Sequence, residues 1–232
     1  MTQKSAIITG AGSGIGRATA IELAQLGFSL TLVGRRQPDL EETARFCAGA
    51  DTLVLSADIT DPVSCQRIVS AAVERFGGLD ALIHSAGFAP LRAIDQITAE
   101  IWRQIIDTNL SAAVYLASAA WPTFRAQRSG VIVNLSSESA RDPFLGLGAY
   151  GAAKAGVNLL GKALAAEGAP INLRVHTIAP GAVETQMLRN LVSPADLPSE
   201  KTLAPSDVAR VITQCITGHL VHTSGEVIYI HK

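Results

Sequence analysis

Runs of apolar, β-type residues alternate with helical stretches along nearly the whole chain, and this alternation restricts the fold more than any other feature. Strands separated by helices pair in parallel, because a parallel connection needs a crossover segment. Near-continuous hydrophobicity at 81–84 and 131–133 indicates strands covered on both faces. We therefore predict an α/β fold, a doubly wound, Rossmann-type parallel sheet with helices on both faces. The expected strands are 6–9, 29–33, 52–56, 81–85, 131–135, 174–179 and 226–230.

Length and composition exclude several classes of protein. The 232 residues, 48% of them apolar, form one core without repeats or linkers, so we predict one domain over 1–232. The 19 basic residues nearly balance 20 acidic ones, so we expect neither nucleic-acid nor membrane partners. Cys47, Cys65 and Cys215 lack metal-site spacing, which favours reduced thiols and no metal. Residues 1–4 lead directly into the first strand, so we expect a cytoplasmic protein.

A glycine-rich turn joins the first expected strand to a helical stretch. The segment from Gly10 to Gly16 reads Gly-Ala-Gly-Ser-Gly-Ile-Gly and has the pattern T-G-x-x-x-G-x-G instead of G-x-G-x-x-G. Glycines let the backbone approach a pyrophosphate, and a helix N-terminus favours the anion. An ordinary strand-to-helix turn would also account for this motif alone. The candidate cofactor contacts in the turn are Gly10, Gly12, Ser13, Gly14, Ile15 and Gly16.

Tyr150 and Lys154 stand four residues apart, which places a phenol and an ammonium on one face of a helix. A nearby cation favours the phenolate form, and an activated tyrosine exchanges a proton with an alcohol or ketone. Two solvated helix residues would give the same spacing by chance.

Several separated motifs agree in their order along the chain. After the glycine turn come Asn109, the pair Ser136-Ser137, the Tyr150 and Lys154 motif, and Pro180-Gly181. In these motifs the sequence resembles the short-chain dehydrogenase/reductase family over nearly its whole length. The resemblance implies an oxidoreductase that transfers hydride between a nicotinamide cofactor and a small-molecule carbonyl or secondary alcohol. It implies catalytic roles for Asn109, Ser137, Tyr150 and Lys154.

The resemblance also implies how these residues act. Tyr150 exchanges the proton, while Lys154 lowers the pKa of Tyr150 and bonds the nicotinamide ribose. Family spacing selects Ser137, thirteen residues before the tyrosine, as the hydrogen-bond donor to the substrate oxygen. Successive strand side chains point to opposite faces, so Ser136 is expected to bond the local backbone. Asn109 bends its helix and holds a water that joins Lys154 to solvent.

The end of the second strand decides the expected cofactor. No acid stands at Gly34, and Arg35 follows it; an arginine there pairs with a 2′-phosphate, so we predict a preference for NADP(H). Ser13 and Arg36 are expected to help bind the 2′-phosphate. Both arginines would also fit a solvated helix start. NAD(H) stays the alternative cofactor. The resemblance adds cofactor contacts from Asp58, Ile59, Ser85, Ala86, Gly87, Tyr150, Lys154, Pro180, Gly181, Val183 and Thr185, although Asp58 would equally serve as a turn or cap residue.

Other expectations concern the part of the site that would bind the substrate. His84 replaces a usual asparagine of the family, and we expect it to be structural because it lies inside an apolar strand. Ser137, Ser139, Phe144 and Met187 are the expected substrate contacts. The expected wall is apolar with two candidate anion contacts, Arg92 and Arg141; its other members are Phe88, Leu91, Leu145 and Leu188.

The family resemblance further implies a homodimer or homotetramer that pairs through helices near 97–124 and 150–166. There are two alternative functions. One is a nucleotide-sensing regulator without turnover, and the other is an NAD-preferring dehydrogenase of the same fold. The four catalytic positions argue against the regulator.

Overall fold

The computed structural model describes residues 3–232, in which a seven-stranded sheet forms the centre of the molecule. The strands are β1 (Ser5–Thr9), β2 (Ser29–Gly34), β3 (Thr52–Ser56), β4 (Ala81–His84), β5 (Gly130–Leu135), β6 (Leu173–Pro180) and β7 (Val227–Ile230). All neighbours pair in parallel, in the order β3-β2-β1-β4-β5-β6-β7. The predicted fold class is confirmed, and every predicted strand end lies within one residue of the observed one.

The helices between the strands cover both faces of the sheet. They are α1 (Gly14–Gln25), α2 (Gln37–Phe46), α3 (Pro62–Phe76), α4 (Ala99–Ile106), α5 (Ala112–Gln127), α6 (Gly148–Gly168), α7 (Gln186–Arg189) and α8 (Pro205–Thr217). A π-helical segment, Asp107–Ser111, joins α4 to α5.

Alternate strand residues supply the two cores, because successive side chains leave a strand on opposite faces. Ile8 and Ile83 pack with α1 and α8 on one face, whereas Ile7 and Leu82 pack with α3 and α5 on the other. Each central strand is therefore buried on both sides. This burial accounts for the near-continuous apolar runs in the sequence.

The strand order reverses between β1 and β4, and this point determines where a ligand can bind. The chain winds outward from β1 to β3, returns to β4, and then winds outward in the other direction. The connections leaving β1 and β4 diverge at the carboxyl edge of the sheet, which opens a crevice between them. The glycine turn follows β1 and Ser85 follows β4, so both lie at this crevice.

Local signals in the sequence set the ends of α3. Asp61 caps its first turn by accepting from the backbone amides of Val63 and Ser64, and Pro62 occupies the first turn. Gly77, with a φ of 79°, ends it in the left-handed conformation. No helix within residues 3–232 is long and apolar enough to span a membrane.

Candidate active site

A cleft of about 1320 Å³ lies along the carboxyl edge of the sheet. This volume exceeds that of an ordinary small-ligand pocket and leaves room for a dinucleotide beside a substrate. Every predicted cofactor and substrate contact lines the cleft, as do Ser137, Tyr150 and Lys154. Three predicted site residues do not line it: Asn109 and the two candidate anion contacts, Arg92 and Arg141.

The glycine turn needs glycine for close backbone approach. Gly10 (φ 67°) and Gly14 (φ 53°) adopt left-handed conformations. A Cβ at Gly16 would lie 2.3 Å from the carbonyl oxygen of Gly10, and one at Gly10 would lie 2.9 Å from Cα of Ala86. The turn therefore packs its backbone against itself and against the segment after β4.

The N-terminus of α1 suits an anionic ligand. The Ser13 side chain caps none of its amides, and its first turn carries no acidic residue. The first amides of a helix lack partners within the helix and carry a partial positive charge. Together with the glycine turn, this arrangement fits the pyrophosphate of a dinucleotide cofactor.

Arg35 and Arg36 line the end of the cleft beyond β2. Arg36 pairs with Asp39 at 2.5 Å, whereas Arg35 makes no ion pair within residues 3–232. Asp39 also lines the cleft, and a Cβ at Gly12 would lie 2.9 Å from its Cβ. Asp39 was not predicted from the sequence, because the approach of this residue to the glycine turn depends on how α2 packs.

Thr9 organises the backbone between β1 and β4. Its hydroxyl accepts from the amides of Ser85 and Ala86 at 3.2 Å each, and contacts His84 Nδ1 at 3.3 Å. Burial, followed by the positive charge of Lys154, lowers the pKa of His84 to about 3. His84 is therefore neutral at ordinary pH and is not among the residues that line the cleft, which supports a structural role.

The two serines at the end of β5 make different contacts. Ser136 Oγ donates to the carbonyl oxygen of Lys154 at 3.2 Å, which ties the strand end to α6. Ser137 Oγ accepts from the amide of Ser139 at 3.1 Å. Ser137 also hydrogen-bonds the Tyr150 phenol, which lowers the pKa of Tyr150.

The pKa of Tyr150 differs from the sequence expectation. Burial raises it to about 12 and outweighs the opposing bond from Ser137. The expected effect of Lys154 is missing because its ammonium turns elsewhere: Nζ donates to the carbonyl oxygen of Leu135 at 2.6 Å and lies 5.6 Å from the centre of the Tyr150 ring. Lys154 is only 2% exposed, and burial lowers its own pKa to about 7.

Asn109 lies within the π-helical segment and is fully buried. Its side chain donates to the carbonyl oxygens of Phe88 and Ile105 at 2.8 Å each and accepts from the Phe88 amide at 3.2 Å. Asn109 therefore fixes the loop after β4 against the widened helix turn. A widened turn of this kind often marks a functional site.

Arg92 and Arg141, the two candidate anion contacts, do not line the cleft in this structure. Arg92 donates to the carbonyl oxygen of Leu91 at 2.9 Å. Arg141 donates to Glu138 at 2.6 Å and stacks on Tyr229, 4.2 Å from the ring centre. Glu138, three residues earlier, and Tyr229, in β7, therefore hold the Arg141 guanidinium.

Comparisons with known proteins agree with this geometry. The short chain dehydrogenase family profile matches residues 4–196. The chain belongs to the short-chain dehydrogenase family. An oxidoreductase described as uncharacterized, from Staphylococcus aureus strain MRSA252, is 34% identical over 217 residues, which is 94% of this chain and 92% of that protein. The chain is therefore an oxidoreductase of a family that generally binds NAD(P)(H).

Solved structures are similar over nearly their whole length. Levodione reductase matches with a TM-score of 0.93 and 26% identity, covering all of this chain and 97% of that one. A short-chain type dehydrogenase/reductase from Mycobacterium marinum gives a TM-score of 0.93 and 26% identity, covering 98% of this chain and 94% of that one.

Replacing the buried ammonium should stabilise the protein. The pKa of Lys154 falls from 10.5 to about 7 on folding, so between these pH values the unfolded chain binds more protons and stability rises with pH. We expect Lys154→Met to melt several degrees higher than wild type near pH 7, with the difference shrinking toward pH 10. Thermal melts at both pH values measure this.

Lys162→Met is the matched control, because Lys162 is exposed on the same helix. It should show no such pH-dependent difference. If Lys154→Met lowers the melting temperature equally at both pH values, the lysine is not buried as a costly charge.

Proposed function

We propose that the chain is an NADP(H)-preferring oxidoreductase that reduces a carbonyl compound to a secondary alcohol, or catalyses the reverse reaction. The observation that carries the proposal is one continuous cleft with a glycine turn and Arg35 at one end and Ser137, Tyr150 and Lys154 at the other. When bound, the nicotinamide cofactor supplies the hydride. Residues 3–232 contain no group of three or more His, Cys, Asp or Glu arranged to hold a metal.

The side chains perform the proton chemistry and the positioning. With substrate bound, Ser137 would turn its hydroxyl proton from Tyr150 to the substrate oxygen, where it would stabilise charge as it develops. Tyr150 would donate its phenolic proton to the same oxygen during reduction. Lys154 would hold the nicotinamide ribose; turned from the Leu135 carbonyl toward Tyr150, its protonated form would favour the phenolate that the transfer leaves there. Asn109 sustains proton exchange from the π-helical segment.

The ionisation of Tyr150 bears on how each direction depends on pH. A pKa of about 12 keeps the phenol protonated at neutral pH, which is the form that reduction consumes. Oxidation of an alcohol requires the phenolate instead. The direction of net reaction is set by the concentrations of the two cofactor forms and of the substrate and product.

The cofactor preference depends on the two arginines beyond β2. Asp39 engages Arg36, which leaves the guanidinium of Arg35 for a 2′-phosphate. An Arg–phosphate contact is bidentate and charge-assisted, whereas NADH offers only a hydroxyl at that position. Arg35 is therefore the proposed determinant of cofactor choice.

Tyr150→Phe should lower both kcat and kcat/KM for ketone reduction by about 10²–10⁴-fold, because the ring still packs but the transferable proton is lost. NADPH binding, measured by fluorescence titration, should change little. Retention of near wild-type kcat would exclude Tyr150 as the proton donor.

The neighbouring serines supply a matched pair for this experiment. Ser137→Ala removes the donor to the substrate oxygen and should lower kcat by at least about 10²-fold. Ser136→Ala removes only the bond to the Lys154 backbone and should lower it less than about tenfold. The opposite order would exchange the roles of the two serines.

Arg35→Ala should weaken NADPH binding by roughly 1.5–3 kcal/mol and leave NADH binding nearly unchanged. Selectivity for NADPH over NADH, measured as the ratio of dissociation constants, should fall by at least about tenfold. Arg36→Ala is the control and should have a smaller effect, since Asp39 already engages this arginine. Equal use of both cofactors by wild type would refute the assignment.

We also propose a homo-oligomer that pairs through α5 and α6. Leu159 in α6 is 70% exposed, and Val114 in α5 is exposed as well. Light scattering at micromolar concentration should report a dimer or tetramer, and a monomer would count against the proposal. A cytoplasmic location remains our proposal, supported by three buried free thiols of the kind that persist in a reducing compartment.

A further inference from the structure

Three chain segments form the substrate end of the cleft. One follows β4, one precedes α6, and the third surrounds α7. Leu147 and Tyr150 also line the cleft, and a group of apolar side chains forms much of its outer wall. Its principal members are Leu91, Phe144, Leu145, Met187, Leu188 and Val192.

Backbone contacts hold these segments together. The Arg92 amide donates to the carbonyl oxygen of Gly146 at 2.9 Å, and a Cβ at Gly146 would lie 2.9 Å from Leu91 Cδ1. A Cβ at Gly87 would lie 3.6 Å from Met187 Cε. The three segments that carry the apolar wall are therefore in contact with one another.

The wall exposes much of its apolar surface. Leu145 is 97% exposed and Phe144 is 70% exposed, although both line the cleft. Exposed apolar side chains gathered at one place mark a binding surface more often than they occur by accident. Their position next to Ser137 and Tyr150 puts this surface beside the reacting oxygen.

Two of the three arginines around this wall are held in ion pairs, whereas the exposed Arg92 makes none within residues 3–232. Arg92 donates to the Leu91 backbone, and Arg141 donates to Glu138. Arg189 pairs with Glu184 and donates to the carbonyl oxygen of Leu197 at 2.8 Å. None of the three lines the cleft.

The charged groups that do line this end are mainly acidic. Glu138, Asp107 and Asp196 line it, and the one lysine, Lys154, is buried against the Leu135 carbonyl. Glu138 is paired with Arg141, so an anionic substrate would meet the carboxylates of Asp107 and Asp196, which make no ion pair within residues 3–232, and Lys154 is the one cation that lines this part of the cleft. Desolvating the charge of such a substrate there would be costly.

We propose that this end of the cleft binds neutral carbonyl compounds with an apolar body of several carbons and rejects anionic ones. This inference rests on the proposed reductase function, because it assigns the substrate class of the same site. The apolar wall covers the hydrocarbon body, while Ser137 and Tyr150 bind the oxygen.

The test uses a series of methyl ketones, 2-butanone, 2-hexanone and 2-octanone, with NADPH. Burial of each methylene should raise kcat/KM about three- to fourfold until the wall is filled. The comparison compound is 7-oxooctanoate, which has the chain of 2-octanone but ends in a carboxylate. It should be reduced at least about tenfold less efficiently than 2-octanone. A flat series, or a preference for the carboxylate, would overturn the proposal.

Leu145→Ser tests the wall itself. It should lower kcat/KM for 2-octanone more than for 2-butanone, so that their ratio falls severalfold. The matched control is Leu26→Ser, because Leu26 is an exposed leucine at the end of α1 that does not line the cleft. In this variant the ratio of kcat/KM for 2-octanone to kcat/KM for 2-butanone should equal that of wild type. If Leu145→Ser changes the oligomeric state and leaves the ratio unchanged, the exposed residues belong to a subunit interface and the proposal fails.

Binding without turnover separates this inference from the proposed function. Tyr150→Phe should bind 2-octanone more tightly than 2-butanone and 7-oxooctanoate in calorimetric titrations with NADPH present. If wild type binds with this order but reduces no ketone, the reductase proposal fails and the ligand class stands. If it reduces ketones without this order, the ligand class fails alone.

Discussion

The hydrogen bond from Lys154 Nζ to the carbonyl oxygen of Leu135 joins α6 to the end of β5, and the proposed catalytic groups depend on it for their relative positions. Ser137 follows β5 by two residues, and Tyr150 lies one turn before Lys154. The bond from Ser136 Oγ to the Lys154 backbone fastens the same two elements a second time. Strand and helix therefore bring a hydroxyl and a phenol together although they come from separate segments.

Charge is distributed unevenly along the cleft, and this gives a bound molecule a preferred orientation. The uncapped start of α1 and Arg35 lie at one end, where Asp39 is paired with Arg36 and Asp58 is the other carboxylate, whereas Asp107 and Asp196 lie at the other end. A phosphate-bearing ligand is attracted to the first end and repelled from the second. The nicotinamide end of a dinucleotide would thereby be directed toward Tyr150, and the apolar wall would be left for the substrate.

The sequence predicted the backbone of the site better than its electrostatics. Strand ends and glycine positions follow from local hydrophobicity and turn chemistry, so the contacts they imply come together as expected. The orientation of Arg141 depends on Glu138 and Tyr229, and the latter comes from a strand far along the chain. The pKa of Tyr150 depends on burial, which no spacing of two residues reveals.

The buried Lys154 also bears on whether the chain retains an enzymatic activity. Folding places a cation where its pKa falls to about 7, so below that pH the native state carries an unfavourable charge. Random substitution under selection for folding alone would replace such a residue readily, since an apolar side chain there gives a more stable protein. A destabilising lysine one turn from a buried phenol therefore indicates selection for a function at this site, in the proposed proton transfer, in binding a nicotinamide ribose, or in both.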